Sequence, residues 1–283
     1  MERERQSRMI SIVILTHNES INIERCIASV TWSDDVLVID SGSTDGTPKL
    51  AANLGARVIH HPFDNFANQR NFALDQGNLK NEWVLHLDAD EVVSSELKEE
   101  MEHVVKGGAS LYGYRIPSRL MMMGTWLKHS GMYPSYQVRF GSRDKLRFHM
   151  AGHGQRELLA PSDVGTLKGD LIHYNFSKGI SDWLAKHARY ARDEADAALR
   201  GPQYRWRDVL GAVDMVERRR ILKGLSHRMP LRPLARFAYV YFVRMGFLDG
   251  SAGLRYALLI AIYQWAIDLN MLEQRALEKG GKN

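Results

Sequence analysis

Apolar segments alternate with segments of helical spacing along the first hundred residues of the chain. Four apolar segments, rich in Val, Ile and Leu and without polar alternation, are typical of strands that are buried on both faces of a parallel sheet. They lie at residues 10–15, 36–39, 57–60 and 83–87. Helical patterns follow them at residues 21–30, 47–54, 65–74 and 95–106. This alternation predicts an α/β fold with a mostly parallel central sheet.

The next hundred residues show a different pattern, with strand-like segments separated by long loops that contain Gly, Pro, Trp and His. The strand-like segments are residues 112–116, 136–140 and 169–174, and a charged helix is predicted at residues 182–199. We therefore predict one domain over residues 1–200, with an N-terminal half at about 9–107 and a second half at about 108–200.

The remaining residues, 201–283, form a basic tail with two apolar stretches, at 234–248 and 252–269, which a predicted turn at 249–251 separates. Residues 201–245 contain ten Lys and Arg against three acidic residues, whereas the whole chain has a net charge of +5. Neither stretch provides the roughly 20 apolar residues that a membrane-spanning helix needs. The tail therefore predicts an amphipathic helical region that lies in the interface of an anionic membrane. A helical hairpin that packs on the core or forms a dimer is the alternative.

The composition limits the class of protein. Hydrophobic residues make up 45% and charged residues 25% of the chain, which is typical of a folded globular protein. The single cysteine, Cys26, excludes a disulfide framework and a cysteine-rich metal site. The first nine residues are charged and lack the apolar segment of a signal peptide, so we expect a reducing, cytoplasmic setting.

The strongest candidate for chemistry is Asp88-Ala89-Asp90, which follows the buried segment at 83–87. Ligands of open parallel sheets bind beyond the carboxyl ends of the strands. Two carboxylates one residue apart at such an end can share a hard divalent cation with a phosphate group. A surface turn with two unpaired acids is the alternative, and the preceding buried strand favours the cation site.

A second polar cluster, at residues 40–47, follows the strand predicted at 36–39. Asp40 at the strand end can accept hydrogen bonds from a nucleoside, while the Gly, Ser and Thr residues after it can also serve only to cap the next helix. The chain contains no G-x-G-x-x-G and no G-x-x-x-x-G-K-[ST] motif. The dinucleotide-binding and P-loop classes are therefore excluded.

Together, four ordered motifs resemble those of the inverting family-2 glycosyltransferases of the GT-A fold. The motifs are residues 12–19, 38–47, 69–73 and 87–91. Within that family, Trp126, residues 131–139, residues 169–174 and the tail segment 246–250 resemble the branch of lipopolysaccharide-core β-glucosyltransferases. The resemblance covers most of the chain. It implies a GT-A domain, which the membrane-associating tail predicted above from charge and apolar pattern follows.

The family resemblance implies roles for individual residues. The residues implied to hold the nucleotide sugar are Thr16, Asn18, Glu19, Asp40, Arg70 and Asp88. Arg70 would lie near the diphosphate, and Asp88 would contact both the ribose and a divalent cation, Mn²⁺ or Mg²⁺. Asp90 would bind the cation directly, and the cation would stabilise the charge that develops on the leaving oxygen. The reaction would be a single in-line displacement at the anomeric carbon.

The acceptor side is expected to come from the second half of the domain, where the reaction needs a base. Glu157 is preferred for this role because a carboxylate is the usual base in the family, and His153 is the alternative. His173 would complete the metal shell or else be a core histidine. Gln137 and Arg139 would bind the diphosphate or an anionic acceptor.

These expectations describe a metal-dependent inverting hexosyltransferase. UDP-glucose is the expected donor, a lipid-linked glycan such as the lipopolysaccharide core is the expected acceptor, and no nucleic acid is expected as a partner. The protein would lie at the cytoplasmic face of the inner membrane as a peripheral or monotopic protein. The alternatives are a transferase of capsule or exopolysaccharide assembly that uses another nucleotide sugar and, in a different class, a nucleotidyltransferase.

Overall fold

The computed structural model describes residues 10–108, 110–151, 154–202, 204–211, 215–227, 229 and 231–280. The chain divides into two compact units. Unit 1 consists of the chain up to Met121 together with Tyr133–Ser177, and unit 2 consists of Met122–Met132 together with the chain from Lys178 onwards. Unit 2 therefore contains a loop, residues 122–132, that is inserted into the sequence of unit 1. We call it the inserted loop.

Unit 1 is an α/β unit built around one central sheet. Its strands are β1 (Ile10–Thr16), β2 (Val36–Asp40), β3 (Arg57–His60), β4 (Trp83–Asp88), β5 (Glu91–Val93), β6 (Gly113–Met122), β8 (Ser135–Ser142), β9 (Phe148–Ala151), β10 (Gly154–Glu157), β11 (Val164–Thr166) and β12 (Leu171–His173). Its helices are α1 (Ile23–Ala28), α2 (Thr47–Asn53), α3 (Phe66–Gln76) and α4 (Ser95–Lys106), with a 3-10 turn at Pro161–Asp163. The short strand β7 (Thr125–Trp126) lies in the inserted loop.

The strand order of the central sheet is β3-β2-β1-β4-β8-β6-β12-β5, and β11 also pairs with β6. The pairs β3-β2, β2-β1 and β1-β4 are parallel, as the apolar pattern predicts. β8 runs antiparallel to both of its neighbours, and β9 and β10 form a separate antiparallel pair. The predicted α/β fold with a mostly parallel sheet is confirmed.

The apolar strand segments form a core on both faces of this sheet. Ile12 belongs to the cluster on one face and its neighbour Val13 to the cluster on the other. Because consecutive side chains of a strand point to opposite faces, a strand that is covered on both sides must be apolar along its length. Polar chemistry is therefore concentrated at the strand ends, and Thr16, Asp40 and Asp88 are the last residues of β1, β2 and β4.

Unit 2 is mainly helical. Its helices are α5 (Ile180–Arg200), α6 (Met215–Ser226), α7 (Arg232–Ala238) and α8 (Gly250–Gly280), with a π-helical turn at Tyr239–Val243 and 3-10 turns at Trp206–Val209 and Gly246–Asp249. α5 packs on α8 through buried Ala191, Ala195, Ile267 and Met271. The predicted domain boundary at residue 200 lies after α5, whereas the structure groups α5 with the tail, because α8 covers its apolar face.

A sharp bend precedes α8. The helix axis bends by 73° between the segments Arg232–Val243 and Gly246–Glu278. Met245, which lies between them, has a left-handed φ of 56°. The sequence predicts this break at residues 249–251, but α8 already begins at Gly250. Within the described residues no single helix has the length and apolar character to cross a membrane, and one bent pair, these two segments, meets the two criteria together.

Asp249, at the end of the 3-10 turn before α8, binds the inserted loop. Its carboxylate accepts hydrogen bonds from the backbone N–H groups of His129 and Ser130, at 3.1 and 2.7 Å, and from the Ser130 hydroxyl at 2.6 Å. The Asp249 side chain is buried. Since hydrogen bonds to an ionised acceptor are the stronger kind, this contact fixes the inserted loop on the turn.

Candidate active site

The carboxyl ends of β1, β2 and β4, with the residues that follow them, form a polar edge of the sheet that we call the rim. Thr16 donates from Oγ1 to Asp40 Oδ1 at 3.1 Å. Asp40 Oδ2 accepts from the backbone N–H groups of Gly42 and Ser43, each at 3.0 Å. Burial disfavours ionisation of Asp40, but the hydrogen bonds, led by those from Ser43, outweigh it and hold the pKa of this carboxyl below its usual range. Asp40 is thus a buried anion that shapes the turn after β2.

Asn18 and Glu19 bind the same turn from the end of β1. Asn18 Oδ1 accepts from the backbone N–H of Thr44 at 2.8 Å, and the Asn18 N–H donates to Ser43 Oγ at 2.8 Å. The backbone N–H of Glu19 donates to Thr47 Oγ1 at 2.8 Å. One hydrogen-bonded set therefore brings together the residues predicted for the nucleoside: Thr16, Asn18, Glu19 and Asp40. Their contact with a nucleoside stays a prediction.

Asp88 lies between two guanidinium groups. Arg70 Nη2, from α3, binds Asp88 Oδ1 at 2.7 Å, and Arg139 Nη2, from β8, binds Asp88 Oδ2 at 2.7 Å. The two arginine side chains are 1% and 5% exposed, whereas Asp88 is 31% exposed. Both oxygens of this predicted metal ligand thus have arginine partners, so Asp90 is the better placed of the two aspartates to bind a cation.

Arg70 also has two N–H groups, Nε and Nη1, that are buried and lack a hydrogen-bond partner within the described residues. His86 in β4 is fully buried, and burial together with the nearby Arg70 charge keeps the pKa of His86 well below its usual range. Because the His86 imidazole is neutral, it adds no second positive charge beside the Arg70 guanidinium. Buried donors without a partner are uncommon in folded proteins, and they fit an anion or an ordered water at this point.

Asp90 and His173 meet next to Asp88. His173 lies on β12 opposite Glu91 of β5, and its Nε2 lies 3.2 Å from Asp90 Oδ2. Burial disfavours the imidazolium, but the Asp90 and Glu91 carboxylates outweigh it and raise the pKa of His173 to about 9. Burial and the Asp88 charge in turn raise the pKa of Glu91 to about 8. The rim therefore holds a cluster of carboxyl groups whose ionised form a positively charged partner stabilises.

A divalent cation would take Asp90 and His173 as two of its ligands and would displace the proton that the neighbouring carboxylates keep on His173. Asp90 and His173 are 21% and 28% exposed, so both are accessible from solvent. Carboxylate oxygen and imidazole nitrogen suit Mn²⁺, and carboxylate oxygen suits Mg²⁺. Among the described residues no group of three or more His, Cys, Asp and Glu side chains is arranged to hold a metal. A cation held by Asp90 and His173 would therefore take its remaining ligands from substrate and water.

Of the described residues predicted for the acceptor side, Arg139 alone is joined to this network by an ion pair. Glu157 is the half-buried last residue of β10, opposite Phe148 of β9, and its carboxylate makes no hydrogen bond or ion pair with another described residue. Gln137 is exposed on β8, two residues before Arg139. His153, the alternative base, lies outside the described residues. Arg139 binds Asp88, so of the two residues predicted for diphosphate or acceptor it is the one built into the rim.

A third set of polar contacts, around Asp170, is not predicted from the sequence. Tyr133 donates from its hydroxyl to Asp170 Oδ1 at 2.9 Å, and Arg119 Nε donates to Asp170 Oδ2 at 2.6 Å. Burial and the Asp170 charge raise the pKa of Tyr133 to about 12, so the phenol remains protonated. Tyr133 and Asp170 lie in the segments 131–139 and 169–174, which resemble the lipopolysaccharide-core branch of the family. That resemblance marks both residues in the sequence, but it does not show that they contact each other. The set fixes the start of β8, which carries Arg139.

The comparisons with known proteins agree with this geometry. The model of the family "Glycosyl transferase family 2" matches residues 11–158, and the chain belongs to this family. An uncharacterized glycosyltransferase of Rickettsia bellii is 43% identical over 200 residues, covering 67% of this chain and 67% of the relative. The lipopolysaccharide core biosynthesis glycosyltransferase LpsC of Rhizobium meliloti is 25% identical over 193 residues, covering 66% of this chain and 70% of LpsC.

Other matches are shorter or weaker. An uncharacterized glycosyltransferase of Rickettsia conorii is 44% identical over 96 residues, so the match spans only 33% of that relative and 34% of this chain. Glucosyl-3-phosphoglycerate synthase of Mycobacterium tuberculosis, solved with Mn²⁺ and UDP-glucose, is 17% identical with a TM-score of 0.45, covering 70% of this chain and 79% of that chain. That likeness is too low to carry an argument. Family membership confirms the predicted GT-A-like α/β fold and the predicted transferase class.

Proposed function

We propose that the protein transfers a hexose from a nucleotide sugar, with UDP-glucose as the expected donor, to a lipid-linked glycan such as the lipopolysaccharide core. The observation that carries the proposal is the arrangement at the end of β4, where Asp88 binds Arg70 and Arg139 while Asp90 meets His173. The identity to LpsC, a protein named for lipopolysaccharide core biosynthesis, supports the acceptor class.

The donor would bind across the rim. In this proposal Thr16, Asn18, Glu19 and Asp40 contact the nucleoside, and the hydrogen bonds of the turn after β2 hold them in place before the donor arrives. Arg70 would lie near the diphosphate, and its Nε–H and Nη1–H groups have no hydrogen-bond partner among the described residues. Such fixed donors stabilise negative charge without reorganising during the reaction.

Asp90 and His173 would hold a divalent cation, Mn²⁺ or Mg²⁺, with Asp88 as an additional contact. When bound, the cation supplies charge stabilisation for the leaving diphosphate. Asp88 is oriented for this by its two arginines, and Arg139 in addition lies 3.6 Å from Glu91 Oε1. The arginines thus limit the repulsion among the rim carboxylates.

Glu157 would take the proton of the acceptor hydroxyl, with His153 as the alternative. The Glu157 carboxylate has no described partner that competes for it, and a base must be within hydrogen-bond reach of the proton it removes. Inversion follows because the acceptor oxygen attacks the anomeric carbon on the face opposite the leaving diphosphate. Gln137, exposed on β8, would contact the acceptor.

We place the enzyme at the cytoplasmic face of the inner membrane as a peripheral or monotopic protein. A lipid-linked acceptor cannot leave the bilayer, whereas nucleotide sugars are water-soluble, so the two substrates meet only at a membrane surface. The basic tail supports an anionic surface as the partner: residues 201–245 carry ten Lys and Arg against three acidic residues.

The proposal is tested with the full-length protein and a panel of nucleotide sugars. UDP-glucose with Mn²⁺ should raise the melting temperature more than UDP-glucose with chelator, because a ligand that binds the folded state stabilises it. Transfer to lipopolysaccharide from a core-deficient strain should release UDP. Release of pyrophosphate from UTP and a sugar 1-phosphate would instead identify a nucleotidyltransferase. Preference for another nucleotide sugar would favour the capsule or exopolysaccharide alternative.

A further inference from the structure

Unit 2 exposes large apolar side chains around the bend that precedes α8. The exposed residues are Leu231, Leu234, Phe242, Val243, Met245, Phe247 and Leu248. We call this set, with the backbone of residues 231–248, the apolar bend. Single exposed apolar residues are ordinary, whereas a contiguous set marks a surface that meets an apolar partner.

A close backbone approach, a buried carboxylate and ring contacts hold the bend. A Cβ at Gly246 would lie 2.6 Å from the Val240 carbonyl oxygen and 3.1 Å from Ser130 Cβ, so only glycine fits the approach of the chain at this point. Asp249 binds the backbone of the inserted loop three residues later. Val240 itself is buried. Phe242 and Phe247 also contact the Tyr241 ring, with centroids 5.1 and 6.2 Å from its centroid, but both side chains stay exposed and so remain available to another partner.

α8 also exposes large apolar side chains. Exposed apolar residues recur there at helical spacing: Leu254, Leu258, Ile262, Trp265 and Leu269. The opposite side of α8 is buried through Ala257, Ile267 and Met271. Residues spaced by three or four lie on one face of a helix, so α8 has one face toward the protein and one apolar face toward solvent.

The charge of this region is almost entirely positive. Residues 218–267 contain nine Lys and Arg and one acidic residue, Asp249. Asp249 is buried and bound to the inserted loop. Arg236 lies over the Tyr239 ring at 5.5 Å, which places a cation next to the apolar bend. Two copies of this chain that paired through the surface would bring like charges together, whereas an anionic bilayer would neutralise them.

We propose that the apolar bend inserts into the boundary between headgroups and acyl chains of an anionic bilayer, with the exposed face of α8 against the same bilayer. The proposal deepens the proposed function, since it names the segment through which an enzyme with a lipid-linked acceptor contacts the membrane. Insertion of side chains combined with attraction of the basic residues is the mode of interfacial membrane proteins. It requires no segment to cross the bilayer.

The test is sedimentation of the full-length protein with vesicles of phosphatidylcholine and phosphatidylglycerol, and with vesicles of phosphatidylcholine alone. The wild-type protein should bind the anionic vesicles, and added salt should weaken the binding without abolishing it, because the apolar contribution is not screened. The double variant Phe242→Glu with Phe247→Glu should bind about 10²-fold more weakly, as expected for two phenylalanines that no longer leave water. Leu54→Glu, an exposed leucine of unit 1, is the matched control and should bind like wild type.

Two further measurements keep the outcome decisive. The Mn²⁺-dependent shift in melting temperature with UDP reports donor binding without lipid, so a normal shift with no vesicle binding would overturn the membrane proposal and leave the proposed function standing. Sedimentation equilibrium without lipid reports self-association. A wild-type dimer that the double variant converts to a monomer, with no vesicle binding by either, would assign the surface to a second copy of the chain and overturn the proposal. If the double variant does not fold, Leu258→Glu on the exposed face of α8 replaces it, with the same expected loss.

Discussion

The rim of unit 1 and the apolar bend of unit 2 differ in opposite ways from the usual distribution of polar groups outside and apolar groups inside a protein. The rim buries charge: Asp40, Arg70 and Arg139 are each at most 4% exposed. The bend exposes apolar groups, and Val243 and Leu231 are 68% and 71% exposed. Burial of a charge costs free energy unless the charge is paired, and exposure of a large apolar group costs free energy unless a partner covers it.

The two regions differ in what holds them. In the rim the functional side chains are also the structural ones, because the Arg70-Asp88-Arg139 contacts fix both the site and the packing. In the bend the backbone is held by Gly246 and Asp249, and ring contacts of Phe242 and Phe247 with Tyr241 add to this, whereas the exposed aliphatic side chains form no ion pair or hydrogen bond. Substitutions of Arg70, Asp88 or Arg139 should therefore change chemistry and stability together, while substitutions of the exposed aliphatic side chains in the bend should separate them.

The strongest test of the rim is Asp90→Ala. It removes the carboxylate that lies 3.2 Å from His173 Nε2, and we expect transfer to be abolished because the cation loses its direct oxygen ligand. The side chain is partly exposed, so the melting temperature without metal should change little. Glu99→Ala, an exposed carboxylate on α4, is the control. Transfer that survives both Asp90→Ala and chelator would exclude the metal-dependent mechanism.

The second test concerns the base. Glu157→Gln keeps the shape of the side chain but cannot accept a proton, so turnover should fall about 10²–10⁴-fold while donor affinity stays unchanged. Steady-state kinetics and the UDP-dependent shift in melting temperature separate the two effects. If Glu157→Gln remains active and His153→Ala is inactive, the base is His153.

The third test asks whether site and stability are coupled in the rim. Arg139→Met leaves Asp88 with one of its two arginines, so unfolding in urea should show a loss of about 3 kcal/mol, as for a broken buried ion pair. Arg139→Lys should recover only part of it, because lysine cannot form the paired geometry. In an Asp88→Asn background the loss should be smaller. Equal losses in both backgrounds would show that the Arg139–Asp88 contact does not contribute to stability.

The smallest expected effect is that of Asp249→Asn in the turn before α8. The amide loses the charge that two backbone N–H groups and the Ser130 hydroxyl share, and we expect a loss of about 1–2 kcal/mol in stability. Limited proteolysis should cleave the inserted loop faster, while binding to anionic vesicles should persist. Ser130→Ala removes only the hydroxyl bond and is the graded control. Unchanged proteolysis in both variants would show that Asp249 does not fix the loop.

The sequence predicts the parts of the fold that repeat a pattern and misses the parts that depend on distant partners. The parallel strands and their helices follow from apolar runs and spacing, and their bounds differ from the predicted ones by only a few residues. β5 has only three residues, and the strands of the β9-β10 pair mix polar with apolar residues, so they lack the apolar run that identifies the other strands.

The site shows the same division. Asp88 and Asp90 are recognised because they are close in sequence and follow a buried strand. The partners Arg139 and His173 lie 51 and 83 residues away from Asp88 and Asp90, so only the folded chain joins them. The sequence therefore gives no sign that arginines bind both oxygens of Asp88. These contacts leave Asp90 as the better placed of the two aspartates to bind a cation.

The inserted loop has a consequence for the synthesis of the chain. Ser130 and the Asp249 that binds it are 119 residues apart, so at roughly 5–20 residues per second the loop leaves the ribosome about 6–24 s before its acceptor is made. During that interval the strands of unit 1 can pair. The backbone N–H groups of His129 and Ser130 in the inserted loop, however, still lack the Asp249 carboxylate that accepts their hydrogen bonds. A chain that stops before residue 201 remains in this condition permanently. The smallest fragment that reproduces the native loop must therefore extend through the turn before α8.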